Sequence, residues 1–198
     1  MSNMWNERYS QPEYVYGEAP NVFFAAQLKN LQPGTVIFPC EGEGRNAVYA
    51  ASQGWNVKAF DSSEAGKIKA LQLADKKQVV IDYVTEDATL ISYPENSADA
   101  VVFIYAHFPA SIRKKIHQKA IQWLKPGGII IMEAFNPNQL QNNSGGPKDL
   151  SMLYTKEILK EDFRQLQTEL SQTVQTTLSE GKYHEGMADI IQFIGVKI

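Results

Sequence analysis

Short apolar runs alternate with amphipathic segments along most of the chain. Five of these runs predict strands, because each is bounded by polar or turn-forming residues. They span residues 36–38, 55–60, 79–81, 99–105 and 129–135. The segments 64–74 and 111–124 lie between strands and carry apolar residues at helical spacing, which predicts helices. This order predicts an α/β fold with a mostly parallel sheet.

The last third of the chain has a different pattern. A short helix over 153–159 precedes two predicted strands, 163–177 and 188–198, joined by a turn at Gly181. Strands joined by so short a turn are antiparallel. The segment 136–149 contains almost no apolar residues, and a long connection without secondary structure is often a lid or a substrate loop.

The N-terminal segment is rich in aromatic residues. Proline and glycine interrupt residues 5–24, and Phe23, Phe24 and Leu28 predict a short helix. Two interpretations remain open: an arm that packs its aromatic rings on the core, or a flap whose tyrosines reach a ligand. We therefore predict a single domain, with an N-terminal arm or cap over residues 1–30 and a substrate-side loop over residues 136–150.

Composition narrows the class of protein. The chain has 198 residues, a net charge of −3 and one cysteine, so no basic field indicates nucleic acid or an anionic membrane, and no internal disulfide can form. No apolar run has the length of a membrane span, and the N-terminus does not resemble a secretory signal. Three histidines without paired spacing argue against a metal site. We expect a soluble, cytoplasmic protein.

A glycine turn follows the first predicted strand. Pro39 ends the strand, and Gly42 and Gly44 precede a predicted helix. Strand, glycine turn and helix together place a ligand at a helix N-terminus, although an ordinary turn would have the same pattern. Asp61 ends the second strand, 17 positions after Gly44, where a carboxylate commonly holds a nucleotide ribose. Its alternative role is a helix N-cap.

Further candidates follow the third and fourth strands. Asp87 could accept a hydrogen bond from an adenine amino group, or be a solvated loop acid. Tyr105 and His107 follow the most apolar strand, at the sheet edge where ligands of parallel sheets bind. His107 is the candidate general base for a neutral acceptor, whereas for an anionic or thiolate acceptor His107 or Arg45 would instead orient it. His117, on the predicted helix 111–124, is expected to be solvated.

The motifs, taken in order, extend over nearly the whole chain. They are Trp5-Asn6-Glu7-Arg8-Tyr9, Tyr16-Gly17, Pro20-Asn21, the segment Glu41 to Ala47, Asp61-Ser62, Asp87-Ala88, His107, Pro126-Gly127-Gly128, Gly145 to Asp149, and Leu153-Tyr154. Together they resemble class I S-adenosylmethionine-dependent methyltransferases, and more narrowly the small branch related to the tellurite-resistance methyltransferases. The resemblance implies a three-layer, Rossmann-like sandwich with about seven strands and an antiparallel C-terminal strand.

The resemblance also implies an activity and a set of site residues. It implies direct, in-line methyl transfer from S-adenosyl-L-methionine to a small-molecule acceptor. The implied cofactor-binding residues are Arg8, Tyr16, Glu41, Gly42, Gly44, Arg45, Asp61, Ser62, Asp87, Ala88 and Tyr105, with His107 as the catalytic residue. Phe38 and Cys40 stand where the family usually has an acid and its first glycine, so Glu41 or Glu43 could supply that acid.

Two other functions fit the same residues. The spacing Gly42-x-Gly44-x-x-Ala47 also matches a relaxed dinucleotide fingerprint, and Asp61 suits NAD, so an NAD-dependent oxidoreductase is an alternative. The altered first glycine leaves a third possibility, a degenerate, non-catalytic protein that binds S-adenosylmethionine.

Overall fold

The computed structural model describes residues 2–198, except for the side chain of Ser2. Met1, the first residue of the predicted arm, lies outside the described residues. The α-helices are α1 (Ser2–Tyr9), α2 (Val22–Leu28), α3 (Arg45–Ser52), α4 (Glu64–Lys76), α5 (Ala110–Trp123) and α6 (Lys156–Asp162). The strands are β1 (Thr35–Pro39), β2 (Asn56–Asp61), β3 (Asp82–Thr85), β4 (Ala98–Ile104), β5 (Leu124–Phe135), β6 (Leu166–Ser179) and β7 (Glu185–Lys197).

The seven strands form one sheet in the order β3-β2-β1-β4-β5-β7-β6. Strands β1 to β5 are parallel, and β7 is antiparallel to both of its neighbours. The predicted fold class, a mostly parallel Rossmann-like sheet with an antiparallel C-terminal strand, is confirmed. Strand order reverses between β1 and β4, which places a crevice at the carboxyl ends of these strands.

Helices cover both faces of the sheet with separate apolar cores. On one face α2, α3 and α4 pack on β1 and β2, and Phe24 and Phe38 meet edge to face at 5.4 Å between centroids. On the other face α5 and α6 pack on β4, β5 and β7, where Phe163 stacks on Phe193. Because both faces are covered, the central strands are mostly apolar, as the pattern at 99–105 predicts.

Three element boundaries differ from the prediction. The third strand is β3, Asp82–Thr85, and not 79–81, because Gln78 has a positive φ of 55° and Val80 is 90% exposed. Helix α6 begins at Lys156, where the Thr155 side chain caps it, and not at 153. Strands β6 and β7 begin at Leu166 and Glu185, three residues from the predicted starts.

The loop 136–150 is not without structure. It contains the 3₁₀ helix Pro137–Gln141, and a second, Leu150–Met152, follows directly. The buried side chain of Gln139 accepts from the Asp189 amide at 2.9 Å and donates to the Gly145 carbonyl at 3.0 Å. Polar bonds to β7 therefore order a loop that lacks the apolar residues of a core.

His117 is buried, which contradicts the expectation that it is solvated. Its Nδ1 lies 2.9 Å from Oδ2 of Asp162, and its ring stacks on Phe163. Asp162 also accepts from Arg113 at 2.8 Å. The partner carboxylate lies on α6, distant in sequence, so the periodicity of α5 alone could not reveal it.

The N-terminal arm lies across the sheet edge at which the strands end. Helix α1 packs on α4, and the Asn6 side chain accepts from the Ser63 hydroxyl at 2.8 Å. Tyr9 is buried and stacks on Trp5. Within the described part of the chain, no helix combines the length and apolar character needed to cross a membrane.

Candidate functional site

A cavity of about 490 Å³ opens at the carboxyl ends of the parallel strands. Its walls come from the N-terminal arm, from the segments after β1 to β4, from the end of β5, from the loop 136–150 and from the turn between β6 and β7. Ten of the twelve predicted site residues line it, so the fold brings together residues spread over most of the sequence. They are Arg8, Tyr16, Glu41, Arg45, Asp61, Ser62, Asp87, Ala88, Tyr105 and His107.

Gly42 and Gly44, which were predicted to let the cofactor approach the backbone, are not among the residues that line the cavity. Gly44 has a φ of +86°, and a Cβ there would lie 2.5 Å from the Cβ of Ala70 on α4. A Cβ on Gly42 would lie 2.6 Å from the hydroxyl oxygen of Tyr9. Both positions are restricted to glycine by positive φ and by close packing of the protein on itself.

Glu41 holds the N-terminus of α3 from the cavity wall. Its Oε1 accepts from the amides of Asn46 and Ala47 at 2.8 and 2.7 Å. Burial nevertheless raises the pKa of Glu41 from 4.5 to about 7, against those two bonds and the nearby Arg45. Glu43, the other candidate acid, is already neutralised by Lys69 at 2.7 Å. Glu41 is therefore the acid available in this turn.

Asp61 is the second carboxylate that lines the cavity. Its Oδ1 accepts from the Ser63 amide at 2.9 Å and its Oδ2 from the Gly42 amide at 3.1 Å. Ser63, and not Asp61, caps α4, because its hydroxyl accepts from the Gly66 amide. Asp61 is 6% exposed, and burial raises its pKa to about 6 in spite of the backbone bonds. Among residues 2–198, neither Asp61 nor Glu41 forms an ion pair.

The arm and α3 contribute cationic and aromatic side chains. Arg8 donates from Nη1 to the Tyr16 hydroxyl at 2.8 Å, and its guanidinium lies over the ring of Tyr183, 4.4 Å from the centroid. Arg45 donates to the Tyr16 carbonyl and pairs with Glu180 at 2.9 Å. These bonds tie the arm to the turn before β7 and close one side of the cavity.

The residues after β3 and β4 form other parts of the cavity wall. Asp87 is exposed and accepts from the Thr89 hydroxyl and amide, which lowers its pKa. Tyr105 has a positive φ of 52°, and its hydroxyl donates to Glu133 at 3.0 Å while its ring stacks on Phe135. This strained backbone after β4 turns an aromatic ring into the cavity.

His107 lines the cavity, but both of its ring nitrogens have partners. Nδ1 lies 2.7 Å from the Met152 carbonyl, and Nε2 accepts from the Phe135 amide at 3.2 Å. Burial lowers the pKa of His107 to about 4. A neutral ring with both nitrogens bonded to the backbone has no lone pair for a substrate proton, so this geometry does not favour the predicted base role.

Several residues of the cavity wall were not predicted from the sequence. Trp5, Phe135, Met152 and His184 all line the cavity. Trp5 belongs to a motif already singled out, but His184 lies in a turn distant in sequence from the glycines. No periodicity or spacing connects it to them.

Comparison with known proteins places these features in a family. Residues 40–132 match the model of a family described as a methyltransferase domain. The match covers a little less than half of the chain, so these residues resemble a methyltransferase domain. The matched range extends from the glycine turn into β5, which includes β2, β3, β4 and the segments after β1 to β4 that line the cavity. The predicted family resemblance is confirmed.

Individual relatives of the chain are distant. Over 113 residues the chain is 27% identical to 2-methyl-6-phytyl-1,4-hydroquinone methyltransferase from Synechocystis sp. (strain ATCC 27184 / PCC 6803 / Kazusa). That match covers 55% of the chain and only 35% of the relative, so the chain spans little more than a third of that protein.

Two solved structures have the same fold over the whole chain. TehB from Haemophilus influenzae superposes with a TM-score of 0.74 at 16% identity, covering 100% of this chain and 67% of that one. Magnesium protoporphyrin IX methyltransferase from Synechocystis PCC 6803, solved with bound SAM, superposes with a TM-score of 0.72 at 14% identity, covering 100% and 95%. At these identities the likeness concerns the fold alone.

Proposed function

We propose that this protein is an S-adenosylmethionine-dependent methyltransferase that acts on a small-molecule acceptor. The observation that carries the proposal is a pair of carboxylates, the partly buried Glu41 and the buried Asp61, that line one cavity at the switch point of the sheet. In the described residues neither forms an ion pair, although Arg45 lies near Glu41, and burial raises the pKa of both. Such a site favours a ligand that brings positive charge and hydroxyl donors.

The acidic and polar groups that line the cavity suit S-adenosylmethionine. S-adenosylmethionine, when bound, supplies a methyl group on a positively charged sulfur. Glu41 would face the positive charge of the methionyl part, and Asp61 would accept from the ribose hydroxyls. Ser62, Asp87 and Ala88 would border the adenosine.

The protein contributes mainly by positioning and by excluding water. Methyl transfer in line requires the acceptor to be held against the donor, and such positioning can account for a large share of the rate. The arm supplies Trp5, Arg8 and Tyr16 as a cover fixed by the bond between Arg8 and Tyr16. The similar hydroquinone methyltransferase is named for a small molecule, which supports an acceptor of that class.

The same geometry disfavours the dinucleotide alternative. A pyrophosphate needs free amides at the N-terminus of the helix after the glycine turn. Here the amides of Asn46 and Ala47 already donate to Glu41, and Ala70 closes the space beside Gly44. A second carboxylate, Asp61, lies on the adjoining strand end, so a diphosphate would meet negative charge.

Isothermal titration calorimetry tests the cofactor. We expect S-adenosylmethionine and S-adenosylhomocysteine to bind and NADH not to bind. Asp61→Asn should weaken binding at least tenfold, about 1.4 kcal/mol, while the exposed control Asp75→Asn should leave it unchanged. Binding of NADH alone, or equal affinities for Asp61→Asn and the wild type, would overturn the proposal.

A transfer assay separates the enzyme from a non-catalytic binder. Protein loaded with methyl-labelled S-adenosylmethionine is incubated with a panel of small hydroxyl, amine and thiol acceptors. Label transferred to at least one acceptor is the expected result. Tight binding without transfer to any compound of a broad panel would instead favour the degenerate binding protein.

A further inference from the structure

His184 lines the cavity from a different part of the sequence than the two carboxylates. It lies in the turn between β6 and β7 and is 5% exposed. Its Nδ1 is 3.3 Å from Oε2 of Glu180. Within residues 2–198, Nε2 has no hydrogen-bond partner, yet it is not among the fully enclosed unpaired atoms. The free nitrogen therefore keeps some exposed surface, and the ring that carries it lines the cavity.

Glu180 fixes which nitrogen carries the proton. Burial alone would raise the pKa of Glu180, but its partners His184 and Arg45 lower it to about 2. This carboxylate therefore stays ionised and can only accept hydrogen bonds. The Nδ1 of His184 must then carry the hydrogen, which leaves the Nε2 lone pair free to accept a proton. Burial lowers the pKa of His184, with Glu180 opposing, so the ring is neutral near pH 7.

The surroundings of this nitrogen are aromatic. The His184 ring lies 4.5 Å from the rings of both Tyr16 and Tyr105 and 5.3 Å from Phe135, between centroids. Flat apolar molecules stack well on such surfaces. The charged and titratable groups around His184 are Glu180, Arg45, Arg8, Tyr16, Tyr105 and His107.

The cavity thus has two ends with different chemistry. Glu41 and Asp61 follow β1 and β2, on one side of the point where strand order reverses. Phe135 and His184 belong to the end of β5 and the turn before β7, on the other side. One end suits a cationic nucleoside, and the other suits a flat molecule that gives up a proton.

We propose that His184 is the general base of this methyltransferase and that the β5–β7 end of the cavity binds an aromatic compound with a hydroxyl group. The inference rests on the proposed function. Glu180 and Arg45 are positioning residues, since they hold the ring and its tautomer through bonds and do not border the reacting oxygen.

The chemical step balances without another reactant. The hydroxyl oxygen of the acceptor forms a bond to the methyl carbon as the sulfur–carbon bond breaks, and that bonding pair stays on sulfur. The hydroxyl proton passes to Nε2 of His184, giving an imidazolium paired with Glu180. This proton leaves to solvent after the products. General bases of this kind typically contribute about 10²–10⁴-fold in rate.

A chromogenic phenol tests the proton transfer without catalysis. Protein saturated with S-adenosylhomocysteine is titrated with 4-nitrophenol at a pH below the pKa of the free phenol, and phenolate absorbance is recorded. We expect the wild type to bind the probe as phenolate. His184→Gln should bind it with at least about tenfold less phenolate, equivalent to one unit in the apparent pKa of the bound probe.

The positioning role of Glu180 needs its own readout. Glu180→Gln should keep S-adenosylhomocysteine affinity but lower the proton affinity of His184, so bound phenolate should form only at higher pH. The exposed neighbour Glu185→Gln is the matched control and should give the wild-type pH profile. A Glu180→Gln profile identical to that of the wild type would contradict this role.

The outcomes separate the two proposals. Failure of the wild type to bind S-adenosylhomocysteine overturns the proposed function. If S-adenosylhomocysteine binds but 4-nitrophenol does not, or if His184→Gln yields as much phenolate as the wild type, only the base assignment is overturned. If His184→Gln fails to fold, ¹⁵N NMR of the imidazole rings in the wild type replaces that test. A hydrogen on Nε2 of His184 in the free protein would overturn the base assignment. A His184 ring that stays neutral when the probe is bound would also overturn it.

Discussion

The affinity of the cavity for a cation should depend on the ionisation of Glu41. Burial raises the pKa of this carboxyl from 4.5 to about 7, so near neutral pH a large fraction is protonated. A cation bound beside the carboxylate favours the ionised form and returns the pKa toward its ordinary value. Binding of S-adenosylmethionine should therefore strengthen as the pH rises toward 7 and become constant above it.

The structure sets the size of the effect. The difference between 4.5 and about 7 corresponds to about 3 kcal/mol, which is the upper limit on the gain in binding free energy. That limit is about 300-fold in affinity, with a slope of at most about tenfold per pH unit from Glu41 alone. Asp61, with a pKa of about 6, steepens the profile below pH 6. S-adenosylhomocysteine lacks the charge on sulfur and should show a weaker dependence.

Calorimetry between about pH 5.5 and 7.5, across the raised pKa values, measures this profile. Glu41→Gln should remove the rise that belongs to Glu41, because glutamine does not ionise. Its amide oxygen can still accept from Asn46 and Ala47, so α3 should remain capped. Glu95→Gln, at an exposed turn, is the control and should keep the wild-type profile.

Two results would refute this reasoning. One is a wild-type affinity for S-adenosylmethionine that stays flat across the range. The other is a Glu41→Gln profile with the wild-type slope, which would assign the titration to another group. A flat profile for both ligands with tight binding would mean that the positive charge lies away from Glu41.

The remaining predictions concern stability and are measured by urea denaturation. Gly44→Ala should lower the free energy of unfolding by about 2–3 kcal/mol, because its Cβ would overlap Ala70 and its φ is positive. The control Gly127→Ala, with φ +80° and open space around it, should lower it by only about 1 kcal/mol. Equal losses for the two variants would contradict the packing explanation. Asp162→Asn should cost about 3 kcal/mol by leaving two buried partners uncompensated, while Glu161→Gln, an exposed pair, should cost at most about 1 kcal/mol. Without ligand, the stability that the protonated form of Glu41 provides below pH 4.5 should be lost as the pH rises through 7, and Glu41→Gln should abolish that loss.

The fold was predictable because its signals are local. Apolar runs and helical spacing are properties of short windows, and the order of elements then limits the topology to a few forms. The third strand was misplaced because 79–81 is apolar yet follows a residue with positive φ, which rotates Val80 into solvent. Apolar content alone does not distinguish a strand from the connection that leads into it.

The sequence predicts a site residue only where that residue belongs to a motif of neighbouring or regularly spaced residues. Asp61 was placed correctly in the cavity wall because the spacing between glycine turn and second strand is set by one helix. The bonding of His107 was not predictable, since its partners, Met152 and Phe135, come from a loop and a strand distant in sequence. His184 lies in the cavity wall because the pairing of β6 with β7 places the turn between them there. Such long-range contacts have no periodic signature.

The departure from the family pattern at the first strand has a physical explanation. Phe38, where the family usually has an acid, is fully buried against the ring of Phe24, so a carboxylate there would be costly unless α2 packed elsewhere. Cys40 adopts φ +56°, so the chain still makes the left-handed turn that a glycine would make. Glu41 follows at once, and the first amides of α3 hold its carboxylate. We infer that the negative charge has moved from the strand to the turn, where helix amides stabilise it and a cationic ligand can still reach it.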